Sequence, residues 1–449
     1  MGRAALVDTT ISASAQARRL ADDQPVVRKA VWRLMPLIMI CYTFAFFDRI
    51  NIGFAKAALT VDLGISNTAY GIGASLFTVG YVLFEVPSNM ILFRVGTRQW
   101  IARIMISWGI ATAAMLFVTT EWQFYALRFL IGAFEAGFSP GIIYYMSTWF
   151  PTSYRGRATS YLFLAQAFSG GLGGPIAGTI LTYMDGVGGQ AGWHWMFLFG
   201  GIPCVFLGLL VLKFLDNKVE DAKWLTAEEK RQLIALNDRT PQGDKGKSLL
   251  GALKTQGFLP LALVYFFIQI ASYGLNFWAP DLIKTAGSGS DLVVGFLTAT
   301  PYVVGAITMI LIGRRADATG ERRLYSMFCL TAAGIGFLAA GFFANNVVIL
   351  VVALAVIGGG VVGGMPTFWA MPPKLVHGAG AAAGIALINT LGQVGGIVSP
   401  VMVGTIKDAT GSATPALYII GVLCIAAMLI LRFISSPLLR ANDRELDRI

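Results

Sequence analysis

Four ionisable residues stand inside otherwise apolar runs: Asp48, Arg49, Arg128 and Glu135. A charged side chain near the middle of a membrane-crossing helix costs at least about 2.5–3.5 kcal/mol, so such a residue is a functional candidate by default. Arg128 and Glu135 are seven residues apart. That spacing puts them on one helix face, separated by about 10 Å of rise. An arginine offers a planar, permanently charged fork that fits a carboxylate bidentately. Arg49 and Arg128 are therefore the natural ligands for an anionic substrate. Asp48 and Glu135 can take up protons, because a carboxyl group responds to burial and to a neighbouring guanidinium. A substrate carboxylate and a carboxylate side chain would then compete for the same cation, which couples substrate binding to protonation. The plain alternative is that Asp48–Arg49 or Arg128–Glu135 are fixed ion pairs holding helices together.

The elements that carry these residues are read from composition and hydropathy. Of 449 residues 56% are apolar and 13% charged, against about 25% charged in a soluble protein. The mean hydropathy is +0.67. A soluble core cannot absorb so much apolar surface, and the composition points to a polytopic membrane protein. Twelve stretches are long and apolar enough to span a bilayer, approximately 32–55, 70–92, 100–119, 122–147, 157–183, 193–214, 259–283, 291–312, 323–344, 346–370, 379–406 and 414–435. They divide the chain into a tail at 1–30, a six-helix bundle at 31–214, a charged linker at 215–257, a second six-helix bundle at 258–435 and a tail at 436–449. Within the linker, Thr226-Ala227-Glu228-Glu229 reads as a capping box that opens a short amphipathic helix.

Orientation follows from the basic residues. With both tails and the linker in the cytoplasm, the outside loops hold only Lys56, Lys284 and Lys407 of the chain's 34 Lys and Arg. Cys41, Cys204, Cys329 and Cys424 lie in apolar runs without CxxC spacing and read as buried small hydrophobes. No early apolar segment resembles a secretory signal peptide. With two histidines, His194 and His377, a His-rich metal site is not expected. No phosphate-binding Gly-x-x-x-x-Gly-Lys-Ser/Thr loop, HExxH or Gly-x-Ser-x-Gly motif is present, so neither ATP-driven pumping nor enzymatic catalysis is expected. The positive charge labels the inner face, and nucleic-acid binding is not expected.

The two bundles repeat one another. Asn89-Met-Ile-Leu-Phe93-Arg94-Val-Gly96-Thr-Arg98 after the second span matches Gly313-Arg-Arg-Ala-Asp317-Ala-Thr-Gly320-Glu-Arg322-Arg323 after the eighth. Further on, Gly156…Gln166…Gly174-Pro175…Gly178-Thr179 matches Gly378…Asn389…Ser399-Pro400…Gly404-Thr405 at nearly the same offset. A parallel repeat of two six-span halves is one of the architectures of secondary transporters.

The Gly313-to-Arg322 pattern resembles the signature loop of the major facilitator superfamily. Its first-half copy is degraded, with Asn89 and Phe93 where Gly and Asp are usual. Three blocks, Phe47-Asp48-Arg49-Ile50-Asn51-Ile52-Gly53, Leu127–Gly141 and Trp149–Ala158, resemble the anion:cation symporter family of organic-anion carriers. The resemblance covers about residues 30 to 435. It implies that Asp48 and Glu135 serve proton coupling and that Arg49 and Arg128 bind substrate. It adds Tyr81 as a substrate contact and, together with their equivalent places in the repeat, Gln166 and Asn389; Trp369, which follows the glycines of the tenth span, is a candidate wall of the site. Interhelical hydrogen bonding is the alternative for Gln166 and Asn389, and an interfacial anchor for Trp369. Glu85, one turn beyond Tyr81, belongs either to the site or to a gating network. Arg94, Gly96, Arg98, Gly313, Asp317, Gly320 and Arg322 are expected at the cytoplasmic hinge between the halves.

The expectation is an all-α membrane protein of twelve transmembrane helices in two pseudo-symmetric six-helix bundles. It would take up a small organic carboxylate together with protons by alternating access, across a bacterial inner membrane, as a monomer and without a cofactor or metal. Exchange or uniport without proton coupling is the alternative within transport, and a membrane receptor the alternative outside it. Sugar acids, tartrate-like hydroxy acids and aromatic acids all fit.

Overall fold

In lipid an apolar run must satisfy its backbone groups internally, and helices do so. The computed structural model of the chain describes residues 24–238, 257–372 and 381–434. Residues 1–23 of the expected first tail, the whole tail at 436–449, Gly378 and the Asp317 side chain lie outside the described part. Among the described residues the secondary structure is helical throughout, without a strand.

In chain order the helices are α1 (Pro25–Asp62), α2 (Asn67–Val95), α3 (Thr97–Ala113), α4 (Glu121–Glu135), α5 (Phe138–Trp149), α6 (Thr152–Tyr183), α7 (Gly192–Phe214), α8 (Ala227–Asp238), α9 (Phe258–Thr285), α10 (Asp291–Thr319), α11 (Arg322–Phe342), α12 (Val347–Trp369), α13 (Ala381–Thr410) and α14 (Thr414–Phe433). Among the described residues eleven spans are long and apolar enough to cross a membrane, with α4 and α5 together forming one of them. The twelfth is α6, whose 32 residues give the length while Gln166 and four closely spaced glycines dilute its hydropathy. The protein is thus a multi-pass membrane protein. All four cysteines are buried and free, as expected.

Two helix ends show what the repeated glycines do. Gly96 joins α2 to α3 at φ 100°, and Gly320 ends α10 at φ 69°. Both need the left-handed region that only glycine enters at little cost. The glycines matched in the repeat therefore stop equivalent helices, Gly96 with ψ 148° and Gly320 with ψ −2°.

The halves meet through α1 and α9, α2 and α13, and α6 and α10. Small residues let these backbones touch. A Cβ on Gly71 would strike the Pro400 carbonyl, and one on Gly295 would strike the Gly174 carbonyl. Likewise a Cβ on Gly404 would strike the Asn67 carbonyl, and one on Gly178 would lie 2.5 Å from the Asp291 carbonyl. Under the repeat, Gly71 corresponds to Gly295 and Asn67 to Asp291, while Gly174 corresponds to Ser399 and Gly178 to Gly404. Gly404–Asn67 and Gly178–Asp291 are therefore counterparts across a pseudo-two-fold axis, and Gly71–Pro400 and Gly295–Gly174 match to within one residue.

These contacts lie toward the face opposite the linker, and polar contacts between the halves cluster there too. Asp408 of α13 accepts from the Asn67 and Thr68 backbone N–H groups at 3.1 and 2.7 Å. It also accepts from the Asn67 amide at 2.7 Å and the Thr68 hydroxyl at 2.6 Å. An aspartate of one half thus satisfies the first turn of a helix in the other. Tyr70 donates to the Phe277 carbonyl at 3.4 Å and Ser75 to the Ile397 carbonyl at 2.6 Å.

At the linker face the capping box forms as expected. Glu229 accepts from the Thr226 N–H at 2.8 Å, and the Glu229 N–H donates to the Thr226 hydroxyl at 3.2 Å. Lys29 also donates to Glu229 at 2.8 Å, which docks α8 onto α1. These donors hold the Glu229 carboxyl below its usual range.

Candidate functional site

The fourth span is not the continuous helix that its hydropathy suggests. It breaks at Ala136–Gly137, where Gly137 takes φ 87°. Glu135 is therefore the last residue of α4. A carboxylate at a helix C-terminus is opposed by the helix dipole and needs a cation. Arg49 of α1 supplies it, donating from Nε to Glu135 Oε1 at 2.7 Å. Glu135 is 0% exposed and Arg49 16%. The guanidinium sits 4.8 Å from the Tyr81 ring centroid, 5.3 Å from that of Phe46 and 5.6 Å from that of Phe77. The paired acid is thus sealed, while its cation stays partly exposed.

Asp48 points elsewhere. It is 1% exposed and accepts from the Thr112 hydroxyl at 3.1 Å through Oδ2. Asn51, one turn on, is 0% exposed. Both face α7, where Gly200 leaves them room: a Cβ there would lie 2.9 Å from the Asn51 amide nitrogen.

Arg128 is 0% exposed, with its guanidinium 5.0 Å from the Phe77 ring centroid. None of its three nitrogens makes a hydrogen bond with a described residue. Asp48 and Glu135 lie within its electrostatic reach. Neither sequence-level ion pair forms as a direct contact: Arg49 meets Glu135 across two helices, while Asp48 and Arg128 stay near the pair. Arg49 is 16% exposed, whereas Arg128 is fully buried.

The second half contributes neutral groups. Gln393 of α13 accepts from Gln269 at 3.3 Å and from the Tyr273 hydroxyl at 3.2 Å. Tyr273 is within electrostatic reach of Arg49 and Arg128, so this wall faces them. Tyr302 donates to Asn276 at 2.7 Å. Tyr81 is brought to the pair and is 5% exposed. Gln166 and Asn389 are half-buried on α6 and α13. Trp369 packs edge-on to Tyr265 at 4.8 Å and belongs to an aromatic cluster with Phe368. Glu85 is half-buried one turn beyond Tyr81. At the hinge, Arg98 donates its backbone N–H to Asn217, at the start of the linker, at 2.9 Å. Between described residues, no hydrogen bond or ion pair ties Arg94 or Arg98 to the other half.

Two expectations are corrected. Lys56 and Lys407 are not loop residues: they lie on α1 and α13, 3% and 18% exposed, and both bind Asp281 of α9. Lys284 is likewise on a helix, in the last turn of α9. The set of ionisable residues inside the spans thus exceeds four. The long reach of a helix past its most apolar window hides such residues from a hydropathy count. Asn51 and Gln393 were also missed. Asn51 lies inside the Phe47–Gly53 block, and Gln393 lies one turn from Asn389, so spacing alone could have marked both.

The sequence matches the profile of the Major Facilitator Superfamily over residues 38–400 and again over 261–447. It is 46% identical over 411 residues to a protein of Agrobacterium vitis named a putative tartrate transporter, covering 90% of each chain. It is 40% identical over 409 residues to the putative metabolite transport protein NicT of Pseudomonas putida, covering 90% of this chain and 93% of the relative. Among solved structures, a D-xylose–proton symporter superposes with a TM-score of 0.75 at 13% identity, covering 91% of this chain and 98% of the other. That likeness concerns the fold.

Proposed function

The chain belongs to the major facilitator superfamily, and we propose that it carries a small organic carboxylate together with protons by alternating access. The observation that carries this reading is the ion pair between Arg49, 16% exposed, and fully sealed Glu135. A substrate carboxylate that reaches Arg49 must displace Glu135, and a displaced carboxylate in a dry site is strongly disfavoured unless it is neutralised. Protonation of Glu135 supplies that neutralisation and links anion binding to proton uptake. Asp48, equally buried and beside Arg128, is the second protonation site of the reading. Arg128 keeps this corner positive while either acid is neutral and becomes the second arm for substrate when the helices around Phe77 rearrange.

Tyr81 completes the carboxylate side, and the Gln269–Tyr273–Gln393 group on the opposite wall reads substrate hydroxyls. Gln166 and Asn389 flank it, and Trp369 closes the far end. A hydroxylated dicarboxylate such as tartrate fits this division, and the name of the Agrobacterium relative points the same way. The polar and glycine contacts between the halves belong to a state closed on the face opposite the linker. With the tails and linker cytoplasmic, in a bacterial inner membrane, that face is outside. Gly96 and Gly320 then end helices at the cytoplasmic hinge, with Arg94, Arg98, Gly313, Asp317 and Arg322 around them.

The test is Glu135→Gln in proteoliposomes. Accumulation of labelled tartrate driven by a proton gradient is expected to vanish, while exchange of internal for external tartrate persists. Gradient-driven accumulation by this variant at the wild-type level would overturn proton coupling through Glu135 and favour an exchanger or uniporter.

A further inference from the structure

A second buried ionic cluster lies away from the Arg49 site, toward the face opposite the linker. Lys56 donates to Asp281 Oδ1 at 2.8 Å, and Lys407 donates to Oδ2 at 2.7 Å. The three side chains are 3%, 18% and 8% exposed for Lys56, Lys407 and Asp281. The Lys56 ammonium also rests 4.8 Å from the Trp278 ring centroid and 5.8 Å from that of Tyr70. Lys56 and Asp281 are 225 residues apart, so they occupy equivalent places in the two halves and meet across the pseudo-two-fold axis.

The charges do not balance. Two cations share one anion in a nearly dry place, and burying an odd charge is unfavourable. The halves also divide the cluster unevenly: Lys56 belongs to the first, Asp281 and Lys407 to the second. When this face opens, Asp281 keeps Lys407 and Lys56 loses its partner. The opening therefore presents a lone ammonium, backed by the Tyr70 ring of its own half, at the mouth of the route to Arg49.

We propose that Lys56 is a capture site for the carboxylate of an arriving substrate, which replaces Asp281 as the partner of the ammonium when the face opens. The ligand class is a small organic carboxylate, and the inference rests on the anion-transport reading above. An anion compensates the broken ion pair and a neutral solute does not, so opening favours anionic cargo. A mere latch between the halves behaves differently. Removing either Lys56 or Asp281 breaks a latch in the same way. A capture site responds oppositely to the two changes, because Asp281→Asn frees the ammonium and Lys56→Gln deletes it.

The experiment measures uptake of labelled tartrate by cells expressing the full-length protein, at low and high ionic strength. Lys56→Gln is expected to raise KM about tenfold with kcat within a factor of two or three, and to flatten the dependence of KM on salt. Lys56→Arg is expected to restore both, which separates loss of charge from misfolding. Asp281→Asn is expected to lower KM or leave it unchanged. Equal rises in KM for Lys56→Gln and Asp281→Asn, or an unchanged KM in Lys56→Gln, would overturn the capture site while leaving anion transport intact. Absence of carboxylate uptake by the wild-type protein would instead remove the anion reading and the capture site together.

Discussion

The two halves place different chemistry on the same backbone. On the helix that opens the first half stand Asp48, Arg49 and Asn51, and at the same offset on the helix that opens the second stand Tyr273, Gly274 and Asn276. The asparagine is kept, and the charges are replaced by a phenol and a glycine. Glu135 and Arg128 likewise add charge to the first half, whereas the second half answers with Gln269 and Gln393. The contacts that seal the halves remain paired by symmetry, as with Gly71 on Pro400 and Gly295 on Gly174. In the proposed transport cycle symmetry thus belongs to the frame, and asymmetry to the candidate binding surface. A rocking motion needs two similar hinged bodies. A coupled site needs its titratable groups collected in one place, where one guanidinium can serve two competing anions.

The largest effect should come from breaking the charged side. Arg49→Gln leaves Glu135 buried without its cation, which costs about 3–5 kcal/mol in comparable buried pairs. Thermal unfolding in detergent should fall accordingly, and tartrate uptake should drop by two orders of magnitude or more. The double variant Arg49→Gln/Glu135→Gln should recover most of the stability and none of the uptake. Stability that stays low in the double variant would show that the pair is not the source of the loss.

The frame is tested next. Adding a methyl at Gly71 or at Gly295 should overpack the seam by about 1–3 kcal/mol. Either alanine variant should shift the protein toward the state open on that face, read as faster labelling of a cysteine placed near Asp408. Because the two contacts are symmetry mates, the shifts should agree within a few-fold. A response in one variant alone would break the symmetric description.

The neutral wall should give the smallest effect. Gln393→Leu removes an acceptor shared by Gln269 and Tyr273, worth about 1–2 kcal/mol when a substrate hydroxyl also depends on the group. KM for tartrate should rise about five- to thirtyfold, and KM for succinate, which lacks the hydroxyls, should change less than threefold. Equal changes for both acids would assign Gln393 to packing, and hydroxyl reading would have to be sought elsewhere on that wall.

Much of the frame was legible in the residues. The apolar runs, the linker with its capping box, the buried cysteines and the Gly96/Gly320 correspondence all rest on local rules. Helix length, end signals and charge distribution are additive along the chain. The charged candidates Asp48, Arg49, Arg128 and Glu135 were legible for the same reason, since an ion in an apolar run stands out wherever its helix finally packs. The hidden part begins where helices continue beyond their most apolar windows. Lys56 and Lys407 read as loop residues by hydropathy, yet α1 and α13 extend to enclose them, because Asp281 makes their burial tolerable.

By itself, then, the sequence determined that this is a membrane protein of repeated helical halves, and which few residues bring charge into it. Only the tertiary structure decided that Arg49 meets Glu135 instead of Asp48 or Arg128, that Arg128 lies sealed behind Phe77, that Gln393 joins Tyr273, and that Lys56 crosses to Asp281. The reason is geometric. Each residue turns a helix by about 100°, so a partner 86 or 225 positions away is chosen by how whole helices rotate and slide against one another. No local pattern along the chain records that choice.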